Sequence, residues 1–341
     1  MNDNTPPQTA RPRRTRFFAA AAAALVLIGG GAVGWTLVAG EGNPDCDSLL
    51  SDTALQRSLG DSYRADMGCG TLGTAMRDAA TGSTPGRHTL AQARAMQATL
   101  TAISEDIERR REPAIAPDLH APLAAALVDY AQDTQEILSG VNGEYTHREG
   151  SAPWQDGKTV RMSAHLDDLV NVLRAVSQDS TAYADLRAAH VRQCATRLAE
   201  VPADATGPFY TGPSRSCAAG LGYYDGIADD IPESQAEQWR SDVLRRLKNT
   251  ADSPPPWKVN HARHIAGSWQ QAVVERVDAD QAQFLQDDSV RIIDIWATAR
   301  GDGIDSKTVN DLQQKTANDA NTSSVETEEA LRCTRHPTEC G

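Results

Sequence analysis

Residues Phe17 to Ala39 carry no charged side chain, and that run constrains where everything else in the chain can fold. It reads FFAAAAAALVLIGGGAVGWTLVA. About 20 such residues match the hydrocarbon thickness of a bilayer at helical rise. Alanines 19 to 24 favour helix. Gly29, Gly30, Gly31 and Gly34 would weaken a helix in water but are better tolerated in lipid, where the backbone must bond to itself. Trp35 lies near the far end, where an indole suits the headgroups. The span is therefore expected to be a transmembrane helix.

Charge sets its direction. Arg11, Arg13, Arg14 and Arg16 precede the span, and no positive charge follows it between Gly40 and Asp45. The positive-inside rule puts the N-terminus in the cytoplasm and everything after Gly40 outside. A cleaved signal peptide is the competing reading, with Val38-Ala39-Gly40 as its site. The apolar run exceeds the ~7–15 residues of a signal h-region, which favours a retained anchor. No lipobox precedes Cys46, and the pair Gly30/Gly34 is too short a pattern to argue helix dimerisation. The expected location is the cell membrane, single-pass, with an extracellular C-terminal domain.

Cys46, Cys69, Cys194, Cys217, Cys333 and Cys340 all follow the span. An even number confined to the external side reads as disulfides in an oxidising compartment. Metal binding would need CxxC-type clusters with histidines, and none is present. Two pairs share one spacing, since Cys46–Cys69 and Cys194–Cys217 are each a step of 23 residues. Local pairing, with Cys333–Cys340 pinning the C-terminus, would staple two halves alike.

Other features recur in the same order. Met96, Leu100, Ile103 and Ile107 form one face of a helix expected from Leu90 to Arg111. A proline break (Pro113, Pro117, Pro122) leads to a second helix, Leu123 to Leu138. Trp239, Val243 and Leu247 form one face of Ser234 to Lys248, before the break Pro254-Pro255-Pro256 and a helix from His261 to about Phe284. Gln155-Asp156, Val160-Arg161, Asp179-Ser180 and Asp185-Leu186 are echoed by Gln286-Asp287, Val290-Arg291, Asp305-Ser306 and Asp311-Leu312. The period is longer than a solenoid repeat. The expected organisation is a basic tail at 1–16, the span at 17–39, a linker at 40–45, helical modules at 46–193 and 194–333, and a pinned tail at 334–341. Strand signals are poor: aromatics make up 5% and no sustained alternation lies between hairpin turns. The fold class is all-α, with tandem helical bundles from a duplication. Loops are expected over 81–86, 139–153, 201–216 and 251–256.

Setting aside Asp3 and the four tail arginines leaves 29 basic and 45 acidic residues, near −16. That charge argues against nucleic acid as a partner. Lysine is scarce and arginine and alanine common, a bias shared with proteins of high-GC bacteria.

No residue set reads as catalytic, metal-binding or cofactor-binding. His261 and His264 lack the HExxH pattern and read as polar-face histidines. His165, Asp167 and Asp168 do not share one helix face. The stretch from Arg300 to Asp305 fails as a calcium loop because Arg300 occupies a ligand position, and its Arg-Gly-Asp triplet is short enough to arise by chance. Asp225, Asp229, Asp230 and Glu233 read as a solvated acidic loop and helix N-terminus. Ser216 has no G-x-S-x-G elbow, and Cys217 is expected to be oxidised. Trp154, Trp239, Trp257, Trp269 and Trp296 are available as sugar platforms but read first as packing residues. The expected function is a non-catalytic envelope protein that binds another protein, as receptor, immunity factor or scaffold. The alternative is a cell-wall hydrolase or wall-polymer binder.

Overall fold

A computed structural model describes residues 46–202, 204–205, 208–275, 287–301 and 304–340. The basic tail with its arginines, the apolar span and the linker lie outside them. Among the described residues no helix is long and apolar enough to cross a membrane.

The described chain is almost all helix. It runs through α1 (Asp47–Ser51), α2 (Thr53–Leu59), α3 (Cys69–Ala80), α4 (Leu90–Arg110), α5 (Pro117–Asp129), α6 (Ala131–Ser139) and α7 (Gly143–His147). A hairpin, β1 (Trp154–Asp156) and β2 (Thr159–Arg161), precedes α8 (Leu166–Val176) and α9 (Ser180–Ala199). Then come α10 (Pro208–Asp229), α11 (Glu233–Asn249), α12 (His261–Glu275), α13 (Asp288–Arg300) and α14 (Ser306–Arg335).

Local chemistry explains the ends. A capping box starts α4: Gln92 N–H donates to Thr89 Oγ1 and Thr89 N–H to Gln92 Oε1. Its face Met96, Leu100, Ile103, Ile107 is fully buried. Pro117 opens α5, where a missing N–H costs nothing. Asp179 and Asp305 cap α9 and α14 alike, each accepting from the N–H three residues on, at 2.8 and 3.0 Å.

The expected helix from Leu123 to Leu138 begins earlier and is two helices, α5 and α6, which meet at Tyr130. Tyr130 is buried there, and its hydroxyl donates to the Ala80 carbonyl at 2.9 Å. Two expected loops hold helix: α7 lies within 139–153, and α10 already runs through Pro208 to Ser216. One short hairpin interrupts the helices. Trp154 pairs Arg161 and Asp156 pairs Thr159 across the two-residue turn Gly157-Lys158. Gly157, at φ +60°, is the residue a type II′ hairpin turn requires at its first position. Three-residue strands are too short to show alternation.

Cys46 is joined to Cys69, Cys194 to Cys217 and Cys333 to Cys340, the local pairing that the spacing favoured. The first bond ties the start of α1 to α3. The second, fully buried, ties α9 to α10. The described residues fall in one compact unit, and one hydrophobic core runs from Cys46 to Leu331. The boundary placed between residues 193 and 194 falls inside α9, which packs on α5 and α6 and also on α10, α11 and α12. The longest helix pairing is α10 against α14, and it includes Gly222 and Gly226, where the two backbones nearly touch.

Candidate functional site

Four consecutive side chains of α6, Asp133, Thr134, Gln135 and Glu136, are buried. Polar groups leave water only at a cost unless they find partners. Asp133 accepts a hydrogen bond from the Tyr145 hydroxyl on α7 and lies 4.0 Å from Arg161 of β2. Burial pushes its carboxyl up to about 6, against the pull of Tyr145 and Arg161. Glu136 is ion-paired with Arg197 of α9.

Of these side chains Glu136, with its partner Arg197, lines a pocket of about 340 Å³ between α6, α7, the hairpin and α9. Trp154, half-buried on β1, also lines it. Tyr145 meets the indole edge-on at 4.9 Å between centroids, and the Arg148 guanidinium stands 5.2 Å over its ring. The lining is charge-balanced, with Glu136, Glu144 and Asp156 against Arg148, Arg161 and Arg197. Arg161 faces Asp156 at 3.7 Å and Arg148 faces Glu144 at 3.2 Å. Asp133 stands behind this lining. A second concavity of about 660 Å³ runs along α9, lined by Ala121, Ala124, Ala125, Ala182 and Ala188 together with the Asp185–Arg246 pair.

The residues singled out by sequence are scattered. His261 stacks on Trp257 at 4.0 Å and His264 Nδ1 lies 2.7 Å from the Pro255 carbonyl, so both brace the proline loop. His165 precedes α8 and approaches Glu149 at 3.9 Å, while Asp168 accepts from Thr101 at 3.1 Å. Ser216 is buried and Cys217 is in its disulfide. Arg300 donates to the carbonyls of Val201 and Pro202 and lies against the Tyr210 and Trp296 rings. Asp302 of the Arg-Gly-Asp triplet is outside the described residues. Trp239, Trp269 and Trp296 are core, whereas Trp154 reaches a pocket.

The acidic run requires a correction. Asp225 is not solvated: Arg187, fully buried on α9, donates to it at 2.7 Å, to Asp288 of α13 at 3.0 Å and to the Tyr183 hydroxyl at 2.7 Å. Asp230 is nearly buried between Arg174 of α8 and Arg335 of α14. Both carboxylates are held by cations brought from distant helices. Sequence reasoning missed these clusters and the α6 pocket. The signals for the pocket were Trp154 and the density of polar residues in Gln132 to Glu136.

Among the described residues no group of three His, Cys, Asp or Glu side chains is placed to hold a metal ion. No protein-family model, curated protein or solved structure matches this chain.

Proposed function

We propose that this chain is a binding protein of a bacterial envelope, held outside the cytoplasm by residues 17–39, and that it binds a polymer of the cell wall in the pocket under the hairpin. The observation that carries the reading is Trp154, placed at the rim of a pocket whose other walls are hydrogen-bonding side chains. The apolar span with its preceding arginines supports the topology. Disulfides suit an oxidising compartment. Matching caps at Asp179 and Asp305 support the duplication, whereas Val160-Arg161 in a strand and Val290-Arg291 in a helix set its limit. The test incubates the full chain, in detergent, with purified cell wall. Cosedimentation without release of soluble fragments is expected. Release of fragments would make it a hydrolase, and no cosedimentation would sink the reading.

A protein partner is the second reading. The alanines lining the α9 groove favour it, because small side chains let another backbone approach closely. A specific partner recovered from solubilised envelopes, and lost on substitution of the exposed Ala125 by Glu, is the result it requires.

A further inference from the structure

The pocket under the hairpin narrows the chemistry of its ligand. Its volume of about 340 Å³ lies at the low end of the ~300–1,000 Å³ range of small-ligand sites.

An anion fits poorly, because each arginine already faces a carboxylate: Arg197 faces Glu136, Arg161 faces Asp156 and Arg148 faces Glu144. A carboxylate or phosphate would have to break one of these pairs and leave an acid beside it. A cation meets the opposite obstacle, since every acid in the lining has a guanidinium at hand. An apolar molecule would strip these ions of water and return no hydrogen bond.

A polyhydroxylated neutral molecule has none of these faults. Each hydroxyl donates to one group while accepting from another. Paired arginine and carboxylate side chains offer both roles side by side, and hydrogen bonds to charged groups are the stronger kind. The C–H face of a pyranose carries slight positive charge, which suits the negative face of an indole. Trp154 is the one tryptophan in this lining. The pocket is also prepared in advance. The hairpin that carries Trp154, Asp156 and Arg161 is fixed by its ladder, and Tyr145 is held by its bond to buried Asp133. Pre-set side chains reduce the ordering cost of binding.

We infer that this pocket binds a short neutral saccharide, with the face of Trp154 opposite Arg148 as the platform for one sugar face and the Glu136–Arg197 and Asp156–Arg161 pairs bonding its hydroxyls. The inference rests on the wall-polymer reading and names the part of the polymer that is held.

The experiment uses the ¹⁵N-labelled full chain in detergent. N,N′-diacetylchitobiose, maltotriose and sodium sulfate are titrated separately while the Trp154 indole N–H resonance, assigned from Trp154→Phe, is followed. At least one disaccharide or trisaccharide is expected to shift that resonance saturably, and sulfate is expected to leave it in place. Read by isothermal titration calorimetry, because these variants lack that indole, Trp154→Ala is expected to weaken sugar binding about tenfold, with Trp154→Phe close to wild type. Circular dichroism of Trp154→Ala checks that it folds. If that variant is unfolded, Gln132→Ala, at an exposed lining position, replaces it and is expected to weaken binding about fivefold, the loss of one neutral hydrogen bond. The inference is overturned if sulfate alone shifts the resonance, if neither sugar does, or if the folded variant binds sugar as well as wild type. Cosedimentation with cell wall despite no response to either sugar would overturn this inference alone. Loss of both would overturn the wall reading with it.

Discussion

Gly226 of α10 faces Ser324 of α14 so closely that a Cβ on the glycine would stand 2.6 Å from the serine's carbonyl oxygen. A turn earlier, Gly222 meets the carbonyl of Ala320 in the same way. Both obstacles are helix backbone, which cannot rotate aside as a side chain does. Gly226→Ala is therefore expected to lose about 1–3 kcal/mol through overpacking. Gly212, in the same helix, has nothing within 4 Å of its virtual Cβ. Gly212→Ala is expected to gain about 0.5–1 kcal/mol from helix propensity. Urea titrations of the two variants, read for opposite signs, check the packing.

Arg187 is the hub between α9, α10 and α13. Its guanidinium donates in three directions, to Asp225, Asp288 and Tyr183. Arg187→Met would strip buried Asp225 and Asp288 of the guanidinium that bonds both, and a loss of about 3–5 kcal/mol is expected above pH 7, where Asp225 is ionised. Arg187→Lys should recover only part of it, because a single ammonium cannot reproduce the planar fork. Denaturant midpoints ordered wild type, Lys, Met are the expected result. A Lys variant equal to wild type would show that charge alone matters.

The α4 face, the proline breaks and the cysteine spacing were legible because each is a local pattern. Met96 to Ile107 repeats at helical period, and Cys46 and Cys69 close a loop within one stretch of chain. Arg187 was not legible. In α9 it reads as one more surface arginine, and its partners lie 38 and 101 residues away. Asp225 and Asp230 were misjudged for the same reason: neighbouring residues in the sequence cannot show a cation delivered by another helix. The pocket was half legible. The polar run of α6 and Trp154 were visible, but the hairpin that joins them has strands too short for a sequence period.

The three disulfides are expected to differ in weight. Replacing Cys46 and Cys69 together by Ala reopens a loop spanning 23 residues, and about 3 kcal/mol of stability should be lost in the chain-entropy model. Cys333 and Cys340 close a span of only 7 residues at the exposed end of the chain, where Arg335 and Thr334 are already tied to Asp230 and Asn171. Their double replacement should cost on the order of 1 kcal/mol, since chain ends open independently of the core. Thermal unfolding of both variants, with non-reducing peptide mapping of wild type, checks the ranking. A crosslink such as Cys69–Cys194 would overturn the pairing itself.

Stability should also depend on pH through Asp225. Burial pushes its carboxyl up to about 7 from 3.8, outweighing the attraction of Arg187, and its neighbour Asp288 is raised by burial as well. The folded protein then keeps a proton that the unfolded chain has already released above about pH 4. Where the native state binds more protons, stability falls as pH rises. The contribution of Asp225 is therefore fully present below 3.8 and is lost on the way to about 7, with no further change above it. Asp133, raised to about 6, adds a slope of the same sign over a shorter window. Asp225→Asn removes the first slope and keeps the Arg187–Asp288 pair. The variant should gain on wild type steadily between about pH 4 and 7 and hold a constant difference beyond. Urea unfolding of both proteins across that range measures the difference directly, and a difference that stays flat through the window would show that Asp225 is ionised throughout.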